Sequence, residues 1–141
     1  MSGYGFDPSW SDERRRLALI ERVYDPATTS RLEQLGVGAA WRCLDVGAGG
    51  GSIARWLRDR VGPDGSVVAV DLDTRFFETG IEARRLDILA DELERDAYDL
   101  VHCRCLLHHL RSWSGGHFMR RCPTPTTRGR LRWQRRCKPQ A

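Results

Sequence analysis

The chain has 141 residues, a formal net charge of +4, and 40% hydrophobic and 30% charged residues. This length accommodates one domain with a hydrophobic core. No apolar run approaches the roughly 20 residues that span a bilayer, and the N-terminus lacks the order of a signal peptide. We therefore expect a cytoplasmic protein without a membrane partner. The five cysteines are odd in number, which favours free thiols in a reducing compartment.

The charges divide the chain into two parts. Residues 1–110 contain 14 arginines and all 19 acids, whereas residues 111–141 contain eight arginines, one lysine and no acid. The two parts therefore have net charges of opposite sign, and we expect them to differ in structure. The predicted organisation is a helical lead-in over 1–38, an α/β domain over 39–110 and a basic, disordered tail over 111–141.

The N-terminal region predicts two helices. The first is expected to end at Asp25-Pro26, because proline cannot donate the hydrogen bond that continues a helix. The second, over about 28–35, would bury Leu32 and Leu35 and stop at the following glycine. In the first helix, three apolar residues recur at helical spacing: Leu17, Ile20 and Tyr24.

A glycine-rich turn follows the first predicted strand, which covers about residues 40–46. Glycine permits positive φ and a close approach of a ligand, and the N–H groups of the next helix point into such a turn. The dinucleotide fingerprint G-x-G-x-x-G is absent, because Ser52 occupies its third glycine position. The pattern is instead D-x-G-x-G-x-G, at Asp45, Gly47, Gly49 and Gly51. It predicts a nucleotide-like ligand.

Three further strands are predicted after the turn. Residues 67–70 form a continuous apolar run ending at Asp71, as expected of a parallel strand buried on both faces. A third strand near Glu82 is rich in arginine and is expected at a sheet edge, with at most a turn or two of helix around 74–79 before it. Leu100 and Val101 anchor the fourth. Alternating strands and helices predict an α/β, Rossmann-like, doubly wound parallel sheet with ligands at the carboxyl ends of its strands.

Four segments, in this order, resemble those of the class I S-adenosylmethionine-dependent methyltransferases. They are the D-x-G-x-G-x-G turn, residues 67–73 as a second strand with its ribose-binding acid, residues 85–89 as a third strand, and residues 97–104 with 106–110 as a fourth strand and helix. The resemblance covers about residues 14–110. It implies S-adenosylmethionine as cofactor and methyl transfer to an unknown acceptor, which we expect to be a small molecule.

The resemblance also implies which residues bind the nucleoside. A carboxylate at the end of the second strand can accept hydrogen bonds from both ribose hydroxyls. Asp71 is expected to do so, with Asp73 as the alternative, and Leu72 would pack against the adenine. Asp87 would accept from the adenine amino group, and the Ile88 N–H would reach a ring nitrogen.

The methionine portion is expected at the glycine turn, which includes Ala48. Asp45 would orient that turn or reach the ammonium through water, and backbone near His102 and Cys103 would line this end. Methyl transfer depends on positioning the acceptor and excluding water. The sequence identifies no general base, and its candidates by location alone are His102, His108 and His109.

No metal site is expected. Cys103 and Cys105 lie near His108 and His109 in the sequence, but a zinc site needs four converging ligands, and Cys103 is expected at a strand end.

After Leu110 the family pattern fails. The family would continue with a helix, a Pro-Gly-Gly turn and further strands, yet residues 111–141 contain one leucine and no isoleucine or valine. One explanation is a basic arm in which Trp113 and Trp133 stack on bases, which gives an alternative function as a nonenzymatic nucleotide- or RNA-binding module. The explanation we favour is out-of-frame translation of a GC-rich gene, because basic arms usually carry lysine. The sheet would then be incomplete at its C-terminal side, and the chain a truncated and inactive form.

Overall fold

The computed structural model describes residues 12–77 and 79–106, with the backbone alone at 10–11, 120–121 and 131–132. A long helix, α1 (Trp10–Gln34), comes first. A second helix, α2 (Ser52–Val61), connects the first two strands. The four strands that follow α1 are β1 (Arg42–Val46), β2 (Ser66–Asp71), β3 (Glu82–Arg85) and β4 (Leu100–Cys103).

The four strands form one parallel sheet in the order β3-β2-β1-β4. In the register of this sheet, Val46 at the end of β1 lies opposite Val70 of β2 and Cys103 of β4. The carboxyl ends of the central strands therefore meet at one edge. Because β2 and β4 lie on opposite sides of β1, the chain reverses its direction of winding there, and such a reversal opens a ligand crevice. The predicted Rossmann-like α/β fold is confirmed, and the described sheet does not close on itself.

The two faces of the sheet bury two apolar clusters. On one face, Cys43, Val67 and Ala69 pack against the apolar side of α2. This side of α2 consists of Ile53, Leu57 and Val61, which are buried, and Trp56, which is partly buried against them. On the other face, β1 and β2 pack against Tyr98 and the segment after β3. Burial of α2 fixes its N-terminus, and with it the glycine turn, at the end of β1.

The prediction of two N-terminal helices is wrong, because α1 is continuous and contains Pro26. A proline inside a helix costs about 3 kcal/mol or more, so other contacts must compensate. The hydroxyls of Thr28 and Thr29 donate to the carbonyls of Tyr24 and Asp25, each at 2.9 Å, and so do not replace the bond that Pro26 removes from the Arg22 carbonyl. Packing holds α1 on both sides of Pro26, since Leu17 contacts the glycine turn and Leu32 lies in the core.

The predicted burial of Leu32 is confirmed, but that of Leu35 is wrong. Leu35 is 51% exposed, because α1 ends at Gln34 and the chain then turns away from the helical direction. Val37, three residues after the end of the helix, is buried in the core.

The third strand covers Glu82–Arg85 and is an edge of the sheet, as predicted. Within the described residues 72–77 and 79–81 there is no helix. The assignment of residues 85–89 to the strand is wrong beyond Arg85, because Asp87 starts a turn. Its Oδ1 accepts from the Leu89 N–H at 2.9 Å, and its carbonyl accepts from the Asp91 N–H at 2.8 Å. These local bonds use the Leu89 N–H and the Asp87 carbonyl, which a longer strand would need for hydrogen bonds to its neighbour in the sheet.

Two short strands are described in the basic C-terminal segment. They are β5 (Arg120–Arg121) and β6 (Leu131–Arg132), which pair antiparallel. The remainder of the segment, with His108, His109 and both of its tryptophans, lies outside the described residues. The disorder predicted there, the nucleic-acid arm and the frame-loss hypothesis therefore stay predictions. Among the residues that are described, no helix is long and apolar enough to cross a membrane, and the cytoplasmic location also stays a prediction.

Candidate functional site

The glycine turn joins β1 to α2 in a left-handed backbone conformation. The φ angles of Gly47, Gly49 and Gly51 are +68°, +59° and +80°, which L-residues with a Cβ rarely adopt. The N–H groups of Gly47 and Ala48 both donate to the carbonyl of Val70, at 2.8 and 3.2 Å. The turn is therefore fastened to the end of β2, and the sequence needs glycine at these positions to form it.

Asp71, the last residue of β2, links the turn to the neighbouring strand. Its Oδ2 accepts from the Gly49 N–H at 2.9 Å, and its Oδ1 accepts from the Asp73 N–H at 3.1 Å. Burial raises the pKa of the Asp71 carboxyl, and the backbone donors, Gly49 first, partly oppose that shift. Each carboxylate oxygen has a second lone-pair direction, so Asp71 can accept further hydrogen bonds.

Asp45 and His102 form a pair at the ends of β1 and β4. They are register partners across the two strands, and His102 Nδ1 lies 2.7 Å from Asp45 Oδ1. Asp45 is only 2% exposed. With Asp45 as a carboxylate, which can only accept, Nδ1 is the donor in this bond, and Nε2 is left for another partner. The sequence suggested His102 by location, but it gave no sign of this pairing with Asp45.

The N-terminal helix lies over the glycine turn. A Cβ atom on Gly49 would be 3.1 Å from Cδ2 of Leu17, and one on Gly50 would collide with the Glu21 carboxylate. The N-terminal helix α1 thus covers the glycine turn. Leu17 and Glu21 are four residues apart, so they lie on the same face of the helix. The sequence did contain a signal for this contact, because the acidic Glu21 follows Leu17 of the predicted apolar stripe by four residues. That signal was not used in the predictions.

Arg104, just after β4, binds the same helix α1 through side chains one to two turns after Glu21. Its Nη1 lies 2.8 Å from Asp25 Oδ1 and donates to Thr28 Oγ1 at 3.0 Å. Its guanidinium carbon also lies 5.9 Å from the centre of the Tyr24 ring. These contacts connect α1 to the end of β4, on the side of β1 opposite to β2.

The other predicted residues lie around this crevice but differ in what their side chains contact. Leu72 is 42% exposed at the end of β2, whereas the side chains of Ile88 and Cys103 pack against the second core cluster. Asp87 is partly buried in its own turn. The side chains of Ile88 and Cys103 are thus partly buried in the core, and the contacts predicted of these two residues involve their backbones.

Cys43, Cys103 and Cys105 are free thiols. Burial raises the pKa of Cys43 to about 12 and also raises the pKa of Cys103. Among the described residues, no group of three His, Cys, Asp or Glu side chains could hold a metal ion.

The comparison with protein families agrees with this geometry. A family model described as a methyltransferase domain matches residues 44–122, more than half of the chain. The chain belongs to this family of class I methyltransferases. The match begins inside β1, at Leu44, and contains the glycine turn, Asp71, Asp87 and His102.

The matched range of the methyltransferase domain continues beyond Leu110 to Cys122. It thus includes the first residues of the basic segment, which the motifs recognised in the sequence did not reach. No curated protein and no solved structure matched the chain.

Proposed function

We propose that this methyltransferase domain binds S-adenosylmethionine at the glycine turn and transfers the methyl group to a small-molecule acceptor. The observation that supports this most directly is the link from Asp71 to Gly49, in which one carboxylate at the end of β2 holds a left-handed turn at the end of β1. This places an acceptor of hydrogen bonds beside a stretch of backbone that a ligand can approach closely. In a nucleoside joined to an amino acid, the ribose hydroxyls can donate to the Asp71 carboxylate, and the amino-acid part can lie against the backbone of the glycine turn.

The residues present fit such a cofactor. Asp71 would accept hydrogen bonds from the ribose hydroxyls through the lone pairs that Gly49 and Asp73 leave free. Leu72, an exposed apolar side chain next in sequence, would pack against the adenine. The Asp87 carboxylate and the Ile88 N–H are the proposed partners of the adenine edge. The turn from Gly47 to Gly51 would hold the methionine portion.

The cofactor supplies an activated methyl group, and the protein positions the acceptor beside it and excludes water. An acceptor that must lose a proton also needs a base. We propose His102 for that role, because the buried carboxylate of Asp45 fixes the Nδ1–H tautomer and would stabilise the imidazolium that forms. The same Asp–His arrangement orients the base in other enzymes that remove protons.

Calorimetric titration of the full chain with S-adenosylhomocysteine tests the cofactor assignment. We expect micromolar binding, and we expect Asp71→Asn to weaken it about 10- to 100-fold, because a charge-assisted hydrogen bond is worth roughly 1.5–3 kcal/mol. Asp59→Asn is a matched control, since the Asp59 side chain is 77% exposed on α2. A chain that is folded by circular dichroism but binds no S-adenosylhomocysteine would refute the proposal.

Transfer of a labelled methyl group to pools of small molecules and, separately, to RNA tests the acceptor class. We expect label in small molecules. Label recovered only in RNA would contradict the proposed acceptor while leaving the cofactor assignment intact.

A further inference from the structure

Among the residues that the structure describes, one carboxylate beside the glycine turn has an oxygen without a partner. The acids near this end of the sheet include Glu21, Asp25, Asp45, Asp71, Asp73 and Asp87. Asp73 is paired with Arg75, and Asp87 accepts from the Leu89 N–H. Asp71 accepts two backbone N–H groups, and Asp45 is bonded to His102. Asp25 Oδ1 receives no well-directed hydrogen bond, yet it lies 2.8 Å from the Arg104 guanidinium, which compensates its charge. Glu21 forms neither a hydrogen bond nor an ion pair with any residue that the structure describes, and its Oε1 is buried.

Glu21 is also directed at the proposed cofactor site. It lies on the face of α1 that covers the glycine turn, and a Cβ atom on Gly50 would collide with its Oε1. Helix packing holds it there, because Leu17, one turn earlier on the same face, contacts Gly49. The carboxylate therefore rests against the backbone of the turn itself.

A buried carboxylate oxygen without a partner destabilises a protein, since it loses its hydration and gains nothing in return. A ligand that brings a cation with N–H donors to this position would remove the penalty and form charge-assisted hydrogen bonds. A neutral donor such as a hydroxyl could also bond to this oxygen, but it would leave the negative charge uncompensated and form the weaker hydrogen bond. The position thus favours a ligand with a positively charged nitrogen.

We propose that Glu21 binds the primary ammonium of the methionine portion of S-adenosylmethionine, an inference that rests on the function proposed above. The ammonium has three N–H donors, whereas the sulfonium of the same molecule has none and cannot form a hydrogen bond with the carboxylate. Asp45, the other residue considered for the ammonium, is already bonded to His102. Glu21 therefore determines that the site prefers a ligand with an α-amino group over one without it.

The test compares two ligands that differ only in that group: S-adenosylhomocysteine and its deaminated analogue, which keeps the carboxylate. Calorimetry on the wild-type chain should give about 10- to 100-fold weaker binding of the deaminated analogue. Glu21→Gln should weaken S-adenosylhomocysteine by a similar factor and leave the deaminated analogue almost unchanged. The preference for the amino group should therefore disappear in this variant.

Glu33→Gln is the matched control on the same helix, since Glu33 forms a half-exposed ion pair with Arg60 at 3.3 Å and lies away from the turn. It should keep the full preference. As a readout without ligand, Glu21→Gln should not lower the thermal midpoint of the apo chain. The substitution removes a partly buried carboxylate that no described residue compensates. A fall in that midpoint larger than the control's would contradict the unpartnered state of Glu21.

The possible outcomes separate this inference from the proposed function. If the wild-type chain binds both ligands equally, or if Glu21→Gln keeps the preference, the role of Glu21 is wrong and the cofactor assignment stands. If the folded wild-type chain binds neither ligand, the proposed function is itself refuted. Should Glu21→Gln fail to fold, Glu21→Asp, which keeps the charge but shortens the side chain, should reduce the preference, and an unreduced preference would overturn the role.

Discussion

Replacing Gly47 with alanine tests whether the glycine turn is as constrained as its geometry implies. Gly47 has a φ of +68°, and an added Cβ would lie 3.1 Å from Cδ1 and 3.3 Å from Cβ of Leu106. The second contact is close to the main chain, so a change of rotamer cannot relieve it and the segment after β4 must move. Two costs therefore add: the left-handed conformation, about 1–2 kcal/mol for a residue with a Cβ, and overpacking, about 1–3 kcal/mol.

Gly36→Ala supplies the control that separates these costs. Gly36 follows α1 with a φ of +77°, and an added Cβ would meet nothing within 4 Å. It should show the conformational cost alone. The entropy that alanine removes from the unfolded chain is similar in both variants and cancels in their difference. The free energy of unfolding should thus fall by about 1–3 kcal/mol more in Gly47→Ala than in Gly36→Ala.

Urea denaturation followed by circular dichroism measures this difference, provided that the slope with denaturant is unchanged. Calorimetry with S-adenosylhomocysteine adds a functional comparison, in which only Gly47→Ala should lose binding. Equal destabilisation of the two variants would refute the close packing of Leu106 on the turn. Unimpaired binding by Gly47→Ala would argue against the turn as the ligand site.

Three further predictions concern the rest of the domain. Leu57→Ala should lower the free energy of unfolding by about 2–5 kcal/mol in urea, because Leu57 is fully buried between α2 and the sheet; a loss below 1 kcal/mol would contradict that packing. Native-state alkylation with iodoacetamide, read by peptide mass, should modify exposed Cys105 and spare Cys43, whose pKa is about 12; rapid labelling of Cys43 would disprove its burial. The hydrogen bond from Arg84 lowers the pKa of Glu94 from 4.5 to about 2, so the stability it contributes is present above pH 4.5 and lost as the pH falls toward 2. Glu94→Gln should flatten the loss in acid urea titrations, modestly because Glu94 is exposed, and an unchanged profile would exclude this pair as a cause.

Local chemistry explains why the sequence predicted the strand–turn–helix unit. The buried strands are continuous apolar runs, and the glycines stand at the positions where φ is positive. These features depend on neighbours in the chain, so a pattern of residues is enough to identify them. The motif spacing likewise placed Asp71 at the end of β2, where the structure has it.

Long-range contacts explain what the sequence could not predict. Pro26 is a helix breaker by its local chemistry, yet α1 continues through it because Leu17 and Leu32 pack on either side. Arg104, which lies 78 residues after Pro26 in the sequence, also contacts Asp25 and Thr28 on the helical turn that contains the proline. Asp87 ended β3 early by forming its own turn, a local alternative that its strand-like neighbours concealed.

The sequence by itself thus determined the fold class, the glycine turn and the acids at the strand ends. The tertiary structure alone decided which charges are paired. It joins Asp45 to His102, 57 residues away in sequence, and it brings Glu21 of the N-terminal helix against a turn that begins 26 residues later. The physical reason is that spacing along a chain fixes neighbours only within a helix or strand, whereas compensation of a buried charge depends on what packing brings next to it.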